Sequence, residues 1–180
     1  MSYTNTIQFQ GAIPAGLMPE LRRLEVKTSA TSCSFFRTDF PELETIKGVR
    51  IIDGISFTFT SHFAAAALDF IALCGVFGMS GTLFYRSHEG QPVFGCIRLD
   101  NGVASVSSIS LDELKSELKF SPKKGWSHPS GQVFSDLESA ARRLLSLRIA
   151  DGWADTLNCD REVYAKVYNA FILNIQDSRS

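Results

Sequence analysis

The sequence has no closely spaced pair of cysteines, and its N-terminus does not have the pattern of an export signal. Both features bear on the chemistry that we expect of it. None of its four cysteines lies in a C-x-x-C pair, which excludes the usual sequence marks of a zinc ribbon or a dithiol redox motif. The four are Cys33, Cys74, Cys96 and Cys159. The N-terminus, beginning at Met1, has neither a basic segment nor a continuous apolar run, so we expect no secretion signal. Without export, the thiols are expected to stay reduced and to act as small buried apolar side chains.

An excess of charge and a long apolar run are also missing. The chain has 18 basic and 19 acidic side chains, so its net charge of -1 provides no long-range field for a nucleic acid or an anionic membrane. The longest apolar run, residues 63–77, is interrupted by Asp69 and is too short to cross a bilayer. We therefore predict a cytoplasmic protein without membrane contact, in which any anionic partner would need a local basic patch.

The motifs that most often indicate catalysis or nucleotide binding are absent. There is no G-x-x-x-x-G-K-[ST], no G-x-G-x-x-G and no G-x-S-x-G in the chain. The histidines His62, His88 and His128 stand alone, with no spacing that places two ligands on one helix face, so we predict no metal and no cofactor. A small enzyme, with Cys74 or Cys96 facing His62 or His88, is a third hypothesis without a local signature.

What is present is the composition of one α+β domain. A chain of 180 residues can bury about 70% of the surface that its unfolded form exposes. Its 14 phenylalanines predict core layers built from aromatic rings. Apolar periodicity predicts strands and helices in alternation. The predicted strands are Asn5–Gln10, Cys33–Arg37, one within the segment Gly48–Thr60, Thr82–Arg86, Pro92–Leu99 and Val103–Ile109, and the predicted helices are Met18–Lys27 and Phe63–Phe77.

The clearest strand has one apolar and one polar face. Ile55, Phe57 and Phe59 alternate with hydroxyl-bearing residues, so these three are predicted to point into a core. Such a strand is typical of an antiparallel sheet whose second face meets solvent or a partner. The order strand, helix, strand, strand, helix, strand is that of a ferredoxin-like split βαβ unit, in which two helices cover one face of the sheet. The other face would be open unless the C-terminal helices cover it.

The C-terminal third is predicted to be helical. Ser110 with Glu113 is a capping box that opens one helix, and Ser135 with Glu138 opens another. Asp160 is expected to cap a third. No low-complexity linker separates this part from the rest, so we predict a ferredoxin-like core with a helical extension packed on it as one compact unit. The core spans residues 1–109 and the extension residues 110–180.

Strand and turn patterns in the predicted core form a recognisable set. They are Asn5–Phe9, Ser34–Phe36 followed by Pro41–Leu43, Ile55–Thr60 before a helix, Phe94–Arg98, and the turn at Asn101–Gly102. This set, which spans about residues 5–102, resembles the phage- and plasmid-borne YubB ferredoxin-like family. The resemblance implies a ferredoxin-like fold and an origin on a mobile genetic element. It implies no catalytic residues, because a fold alone does not supply them.

One short segment combines basic and aromatic residues. Within Lys115–His128, lysines are interleaved with Phe120 and Trp126, and Phe120–Gly131 is predicted to be a loop. Basic side chains beside rings are what single-stranded nucleic acid binding needs, and tryptophan is enriched at the energetic centres of protein interfaces. A solvated loop with a buried Trp126 is the alternative. The predicted partner-binding residues are Lys119, Lys123, Lys124, Trp126 and His128.

Three hypotheses of function follow. The first is a non-enzymatic protein-binding protein, encoded by a phage or plasmid as an accessory or inhibitor of a host protein complex. It would act through the open sheet face or an edge strand, and through the segment around Lys123, Lys124 and Trp126. The second is a nucleic-acid-binding module that uses the same segment, with an affinity that falls as salt rises. The third is the small enzyme, with a site near His62 and Cys74.

Overall fold

A computed structural model describes residues 2–35 and 45–156 of the chain. Helices and strands alternate through the first half, and short strands and helices follow in the second. In chain order they are β1 (Tyr3–Phe9), α1 (Met18–Lys27), β2 (Ile46–Ile51), β3 (Ser56–Ser61), α2 (Ala67–Phe77), β4 (Gly81–Ser87), β5 (Val93–Asp100), β6 (Val103–Ser110), α3 (Leu111–Glu117), β7 (Lys119–Ser121), β8 (Gly125–Ser127), β9 (Val133–Phe134), α4 (Leu137–Ala150) and β10 (Asp155–Thr156).

A seven-stranded antiparallel sheet forms the centre of the molecule. Its strand order is β10-β6-β5-β4-β1-β3-β2, and every neighbouring pair is antiparallel. The register places Ile7 of β1 between Phe57 of β3 and Leu83 of β4. The predicted α+β class is therefore confirmed. The predicted strand pair after α2 and the turn at Asn101–Gly102, where both residues have positive φ, are present as β4–β5 and the β5–β6 hairpin.

The first hydrophobic core lies between one face of the sheet and helices α1 and α2. Alternate strand residues point to this face because side chains in a strand have a period of two. Phe57 and Phe59 are buried as predicted, whereas Ile55 is only half-buried because it precedes the strand. The largest fully buried side chains of this core are Ile7, Leu17, Leu21, Leu24, Ile46, Phe57, Phe59, Phe70, Leu73 and Leu83.

A second core lies on the opposite face of the sheet, over β5 and β6. Phe94, Cys96 and Ile109 point to this face and pack against residues of α3 and α4. Helix α3 and the residue that follows it bury Leu114 and Leu118 in this core, and α4 buries Ala140, Ala141, Leu144 and Leu145. The segment after Ser110 thus packs directly on the sheet. Helix α4 lies on the β5–β6 half of the face, and the threonine-bearing half at β1–β3 lies beyond it.

The helix starts follow local capping chemistry. The predicted box at Ser110 is present, since its hydroxyl accepts from the N–H of Glu113 (3.2 Å) and the Glu113 carboxylate accepts from the N–H of Ser110 (3.1 Å). Helix α4 begins one residue later than predicted, because Asp136 and not Ser135 is its cap. The N–H of Ser139 donates to the Asp136 carboxylate at 2.7 Å and lowers the pKa of Asp136. The predicted helix beginning at Asp160 lies outside the described residues.

The start of α2 differs from the sequence prediction. The apolar stripe predicts a helix from Phe63, but α2 begins at Ala67 and the Phe63 side chain is 81% exposed. The buried side chain of Asn5 in β1 accepts from the N–H of Ala66 at 3.1 Å and donates to the Ser61 hydroxyl at 2.8 Å. The helix entry is thus fixed by a strand residue some sixty positions away, which a local periodicity does not detect.

The outer edge of β2 is protected by hydrogen bonds from the segment after α1. Ile46 exchanges both backbone hydrogen bonds with Cys33. Farther along the edge, Thr28 accepts from two amides, its carbonyl from Gly48 (3.0 Å) and its hydroxyl from Val49 (2.9 Å). Because an edge strand whose amides are already bonded is a poor template for another strand, this edge does not offer the docking site that the sequence had suggested for an edge strand.

A close fit between Tyr85 and Gly95 gives a testable feature of the sheet. The two residues are paired across β4 and β5, and a Cβ on Gly95 would lie only 1.8 Å from the ring of Tyr85. We expect Gly95→Ala to lower the free energy of unfolding by about 1–2 kcal/mol, because the half-buried ring must swing away. Urea unfolding measures this effect. In a Tyr85→Ala background the same substitution should cost much less, and an undiminished cost would contradict the steric explanation.

Candidate partner-binding surface

The predicted loop at residues 120–131 contains a small antiparallel sheet. Strands β7 and β8 form a hairpin, hereafter the 119–127 hairpin, in which Phe120 lies directly opposite Trp126. Strand β9 pairs with the other side of β8. Gly125 follows the turn with a φ of +80°, and a Cβ there would lie 2.7 Å from the carbonyl oxygen of Phe134. Only glycine satisfies both conditions, so Gly125 fixes the hairpin.

Two aromatic rings of the hairpin are in contact but differ in exposure. The ring centroids of Phe120 and Trp126 are 5.1 Å apart at an interplanar angle of 51°. Trp126 is half-buried and packs with Phe134 against the second core. Phe120, on the outer strand, remains 62% exposed. Trp126 is thus partly buried, as the second sequence alternative predicted, and it lies against the exposed ring of Phe120.

Three of the predicted lysines lie on the same hairpin as these rings. Lys119 is exposed on β7, and Lys123 and Lys124 are exposed at the tip of the hairpin. The turn is closed by the N–H of Lys124, which donates to the carbonyl of Ser121 at 3.2 Å. Within the described part of the chain, none of the three lysines forms an ion pair with a carboxylate. The hairpin thus carries an exposed apolar ring and three exposed positive charges. Lys119 precedes Phe120 on β7, so its side chain points to the opposite face of the strand.

His128, the fifth predicted residue, lies just beyond the hairpin and has a local role. Its Nδ1 accepts from the N–H of Ser130 at 3.2 Å and lies 2.8 Å from the hydroxyl of the same residue. Its backbone N–H donates to the carbonyl of Gln132 at 2.9 Å. These bonds form the turn that leads into β9. The structure therefore groups Lys119, Lys123, Lys124 and Trp126, and places His128 at the base of the group.

The sequence predicted an open, polar sheet face but not the set of residues that forms it. It is the half of the second sheet face formed by β2, β3 and β1, where outward-pointing side chains are short and hydroxyl-bearing or basic. We call it the polar sheet face. Its residues are Thr4, Thr6 and Gln8 of β1, Thr58 and Thr60 of β3, and Lys47 and Arg50 of β2.

An arginine of α4 marks the boundary of the polar sheet face. The Arg142 guanidinium donates to the Thr6 hydroxyl (3.1 Å) and to the Glu138 carboxylate (2.8 Å). It also lies over the ring of Phe84, 5.1 Å from the centroid. Arg86 of β4 lies 4.0 Å from the other Glu138 oxygen. Two arginines therefore share one carboxylate at the boundary between the half of the sheet face that α4 covers and the half that no described helix covers.

The buried cysteines do not suit nucleophilic chemistry. Burial raises the pKa of the thiols of Cys74 and Cys96 to about 12, so both are protonated at neutral pH and the reactive thiolate is scarce. His62 has its Nε2 3.5 Å from the Ser32 hydroxyl, and His88 is bonded to the Thr4 hydroxyl. These contacts give no support to the Cys–His hypothesis. Cys159 lies outside the described residues.

The residues that the structure describes contain neither a cluster of metal-binding side chains nor a membrane-spanning helix. Among them, no group of three or more histidine, cysteine or acidic side chains is placed to hold a metal ion. No helix in residues 2–35 and 45–156 has the length and apolar character needed to cross a membrane. Comparisons of the chain with protein-family models, with curated proteins and with solved structures find no match.

Proposed function

We propose that this chain is a non-enzymatic binding protein that engages a protein partner through the 119–127 hairpin. The observation that carries the proposal is the exposed ring of Phe120, held against the anchored Trp126 and flanked by lysines. Exposed aromatic side chains that are held rigid contribute large contact area at low entropic cost, and they dominate the energetics of many interfaces. Neighbouring lysines favour a partner with acidic residues around an apolar pocket.

The arrangement of the first six elements supports a ferredoxin-like assignment, which we also propose. Strands β4-β1-β3-β2 are neighbours in that order, and residues of both α1 and α2 are buried in the same core. Strands β5, β6 and β10 extend this unit at the β4 side. Together with the resemblance of the strand patterns to the YubB family, this arrangement supports an origin on a mobile genetic element and a role as an accessory or inhibitor of a host complex.

The free cysteines bear on the compartment in which the protein acts. Cys33, Cys74 and Cys96 are free thiols, and unpaired cysteines are typical of a reducing environment. We therefore propose that the hairpin meets its partner in the cytoplasm. The thiols are packing residues in this proposal, since two of them belong to the two cores.

Binding of single-stranded nucleic acid is a second candidate function. It is favoured by the same exposed Phe120 ring, on which a base could stack, with lysines placed to meet phosphates. The chain as a whole carries a net charge of only -1 and has a pI near 6.3, which provides little of the electrostatic attraction that such binding requires. Trp126 offers only part of its ring, because the rest is packed on the second core.

Substitutions in the hairpin test the proposed function. We expect Phe120→Ser and, separately, Lys123→Glu with Lys124→Glu to reduce the amount of a partner that co-purifies with the tagged protein by at least about tenfold, the loss typical of an interface hot spot. Quantitative mass spectrometry of affinity-purified samples measures this. Folding should be unchanged, because Phe120 and both lysines are exposed.

Matched controls come from the exposed surface on the other side of the sheet. Phe63→Ser removes a ring that is equally accessible, and Arg22→Glu with Lys27→Glu on α1 makes the same change in net charge. Both controls should retain the partner. Partner recovery that is unaffected by the hairpin variants, or reduced equally by the controls, would exclude the hairpin as the binding surface.

Salt dependence separates the two candidate functions. Fluorescence anisotropy of a labelled 20-nucleotide thymidine strand should show no saturable binding if the partner is a protein. A nucleic-acid-binding hairpin would instead bind the strand with an affinity that falls steeply between low and physiological salt. It would also lose that binding in the Phe120→Ser variant, because the base would lose its stacking surface.

A further inference from the structure

Two rows of side chains cross the polar sheet face with the same pattern. The register of β2, β3, β1 and β4 aligns Lys47, Thr60, Thr4 and Arg86 in one row. The next row aligns Arg50 and Thr58 with Thr6, whose hydroxyl accepts from Arg142. Each row therefore has two threonines in the middle and a basic residue of β2 at one end. At the other end, the first row has Arg86 of β4, and the second has Phe84 of β4 with Arg142 of α4 over its ring.

A β-bulge makes the first flank basic at both positions. Lys47 and Arg50 are three residues apart, and in a regular strand they would point to opposite faces. The register of β2 shifts between them, and Gly48 in this interval has a φ of +63°. One extra residue in the strand returns Arg50 to the face of Lys47. The bulge thus places two exposed cations on one flank of the polar sheet face.

The two basic flanks are separated by a strip of defined width. Strands β2 and β4 are three strand spacings apart, which amounts to about 14 Å. The floor between them consists of threonines on β3 and β1, together with Gln8. Among the described residues that point to this face from β1, β2 and β3, none is acidic, but the Asp53 carboxylate lies at one end of the strip, where it accepts from the hydroxyl of Ser56 at 2.8 Å. Glu138 of α4 is the nearest carboxylate at the second flank, and it is shared by Arg86 and Arg142.

We infer that the polar sheet face is a docking site for an acidic protein segment, laid along β1 and β3 between the two basic flanks. The charges of this face favour an acidic partner. Lys47 and Arg50 are exposed on one flank, and the two arginines of the other flank are balanced by only one carboxylate, that of Glu138. An α-helix about 10–12 Å wide, or an extended chain, fits the strip. This surface is distinct from the 119–127 hairpin, and the inference does not depend on the hairpin proposal.

A nucleic acid fits this face less well than an acidic protein segment. Recognition of a single strand on a sheet uses rings on the central strands, but β1 and β3 present only Thr4, Thr6, Gln8, Thr58 and Thr60 there. The ring of Phe84 on β4 is covered by Arg142. A duplex requires a strongly basic domain, whereas this chain carries a net charge of -1.

A titration of the full chain with defined probes tests the inference. Amide chemical shifts of the ¹⁵N-labelled protein are recorded with a 12-residue peptide of alternating glutamate and alanine, and with the same peptide carrying glutamine in place of glutamate. We expect saturable shifts on β1, β2 and β3 with the acidic peptide alone. Lys47→Glu with Arg50→Glu should weaken its binding at least tenfold. Arg22→Glu with Lys27→Glu, which makes the same net-charge change on α1, should alter it less than twofold.

Several results would overturn the inference. One is a set of shifts that do not saturate or that lie away from the three strands. Another is equal weakening in the α1 control, which would indicate nonspecific attraction. Tighter binding of a seven-nucleotide thymidine strand, whose six phosphates match the six glutamates, would assign the face to nucleic acid. The neutral variant Lys47→Gln with Arg50→Gln separates loss of binding from misfolding, since it should keep the native spectrum and still lose affinity.

Discussion

Replacing Phe57 by alanine is expected to lower the free energy of unfolding by about 3–5 kcal/mol, the largest effect of any single substitution considered. Phe57 is fully buried in the first core and its ring contacts three others. The centroids lie 5.9 Å from Phe59, 6.1 Å from Phe35 and 6.3 Å from Phe9. Removal of the ring leaves a cavity among rigid neighbours that cannot close around it, so both the transfer energy and the packing are lost.

Urea unfolding followed by circular dichroism measures the effect of Phe57→Ala. A loss of this size is a large share of the 5–15 kcal/mol that stabilises a typical domain, so the midpoint should fall markedly. Phe63→Ala is the matched control, because the same side chain is removed from a position that is 81% exposed, and its effect should stay within about 0.5 kcal/mol. Similar losses in both variants would show that the assignment of the first core is wrong.

Replacing Asn5 by leucine is expected to cost about 2–3 kcal/mol, because it removes the acceptor for the N–H of Ala66 at the start of α2. The same change removes the donor to the Ser61 hydroxyl. Asn5, Ser61 and Ala66 are fully buried, so water cannot replace the lost partner without a rearrangement. Leucine has the same branched shape as asparagine but larger end groups, so the cost comes from the unsatisfied polar groups and from crowding, and not from a cavity.

Chemical unfolding and amide hydrogen exchange together test this prediction. Protection at the first turn of α2 should fall more than protection in β5, because the entry of the helix loses its tie to β1. Gln8→Leu is the control, since it makes the same type of change on the same strand at an exposed position. Unchanged stability of the Asn5→Leu variant would show that another group satisfies the N–H of Ala66.

Local chemistry made several elements predictable from the sequence. The capping box at Ser110 and Glu113, the turn at Asn101–Gly102 and the alternation of Phe57 and Phe59 each depend on residues within a few positions of one another. Such features are set by backbone sterics and short-range hydrogen bonds, which are the same in any context. For the same reason, β1, β3, β4, β5 and β6 could be located before their partners were known, whereas β2 and β10 were not predicted as separate strands.

Features that depend on distant residues were not predictable. The 119–127 hairpin was predicted as a loop, because its strands are only three residues long and are stabilised by Trp126 and Phe134 packing on a core formed by other segments. The start of α2 depends on Asn5, which is far away in the chain. In both cases a tertiary contact outweighs the local preference of the sequence.

The residues of the two proposed binding surfaces show the same division. The basic and aromatic residues of the hairpin lie within eight positions of one another, so the sequence alone identified them as candidates. The sequence alone also showed that the chain has no nucleotide-binding or metal-binding motif. The polar sheet face was decided only by the tertiary structure, since its rows join β2, β3, β1 and an arginine of α4. Strand register and the bulge at Gly48 bring these charges together, because backbone hydrogen bonds between distant segments fix which side chains share a face.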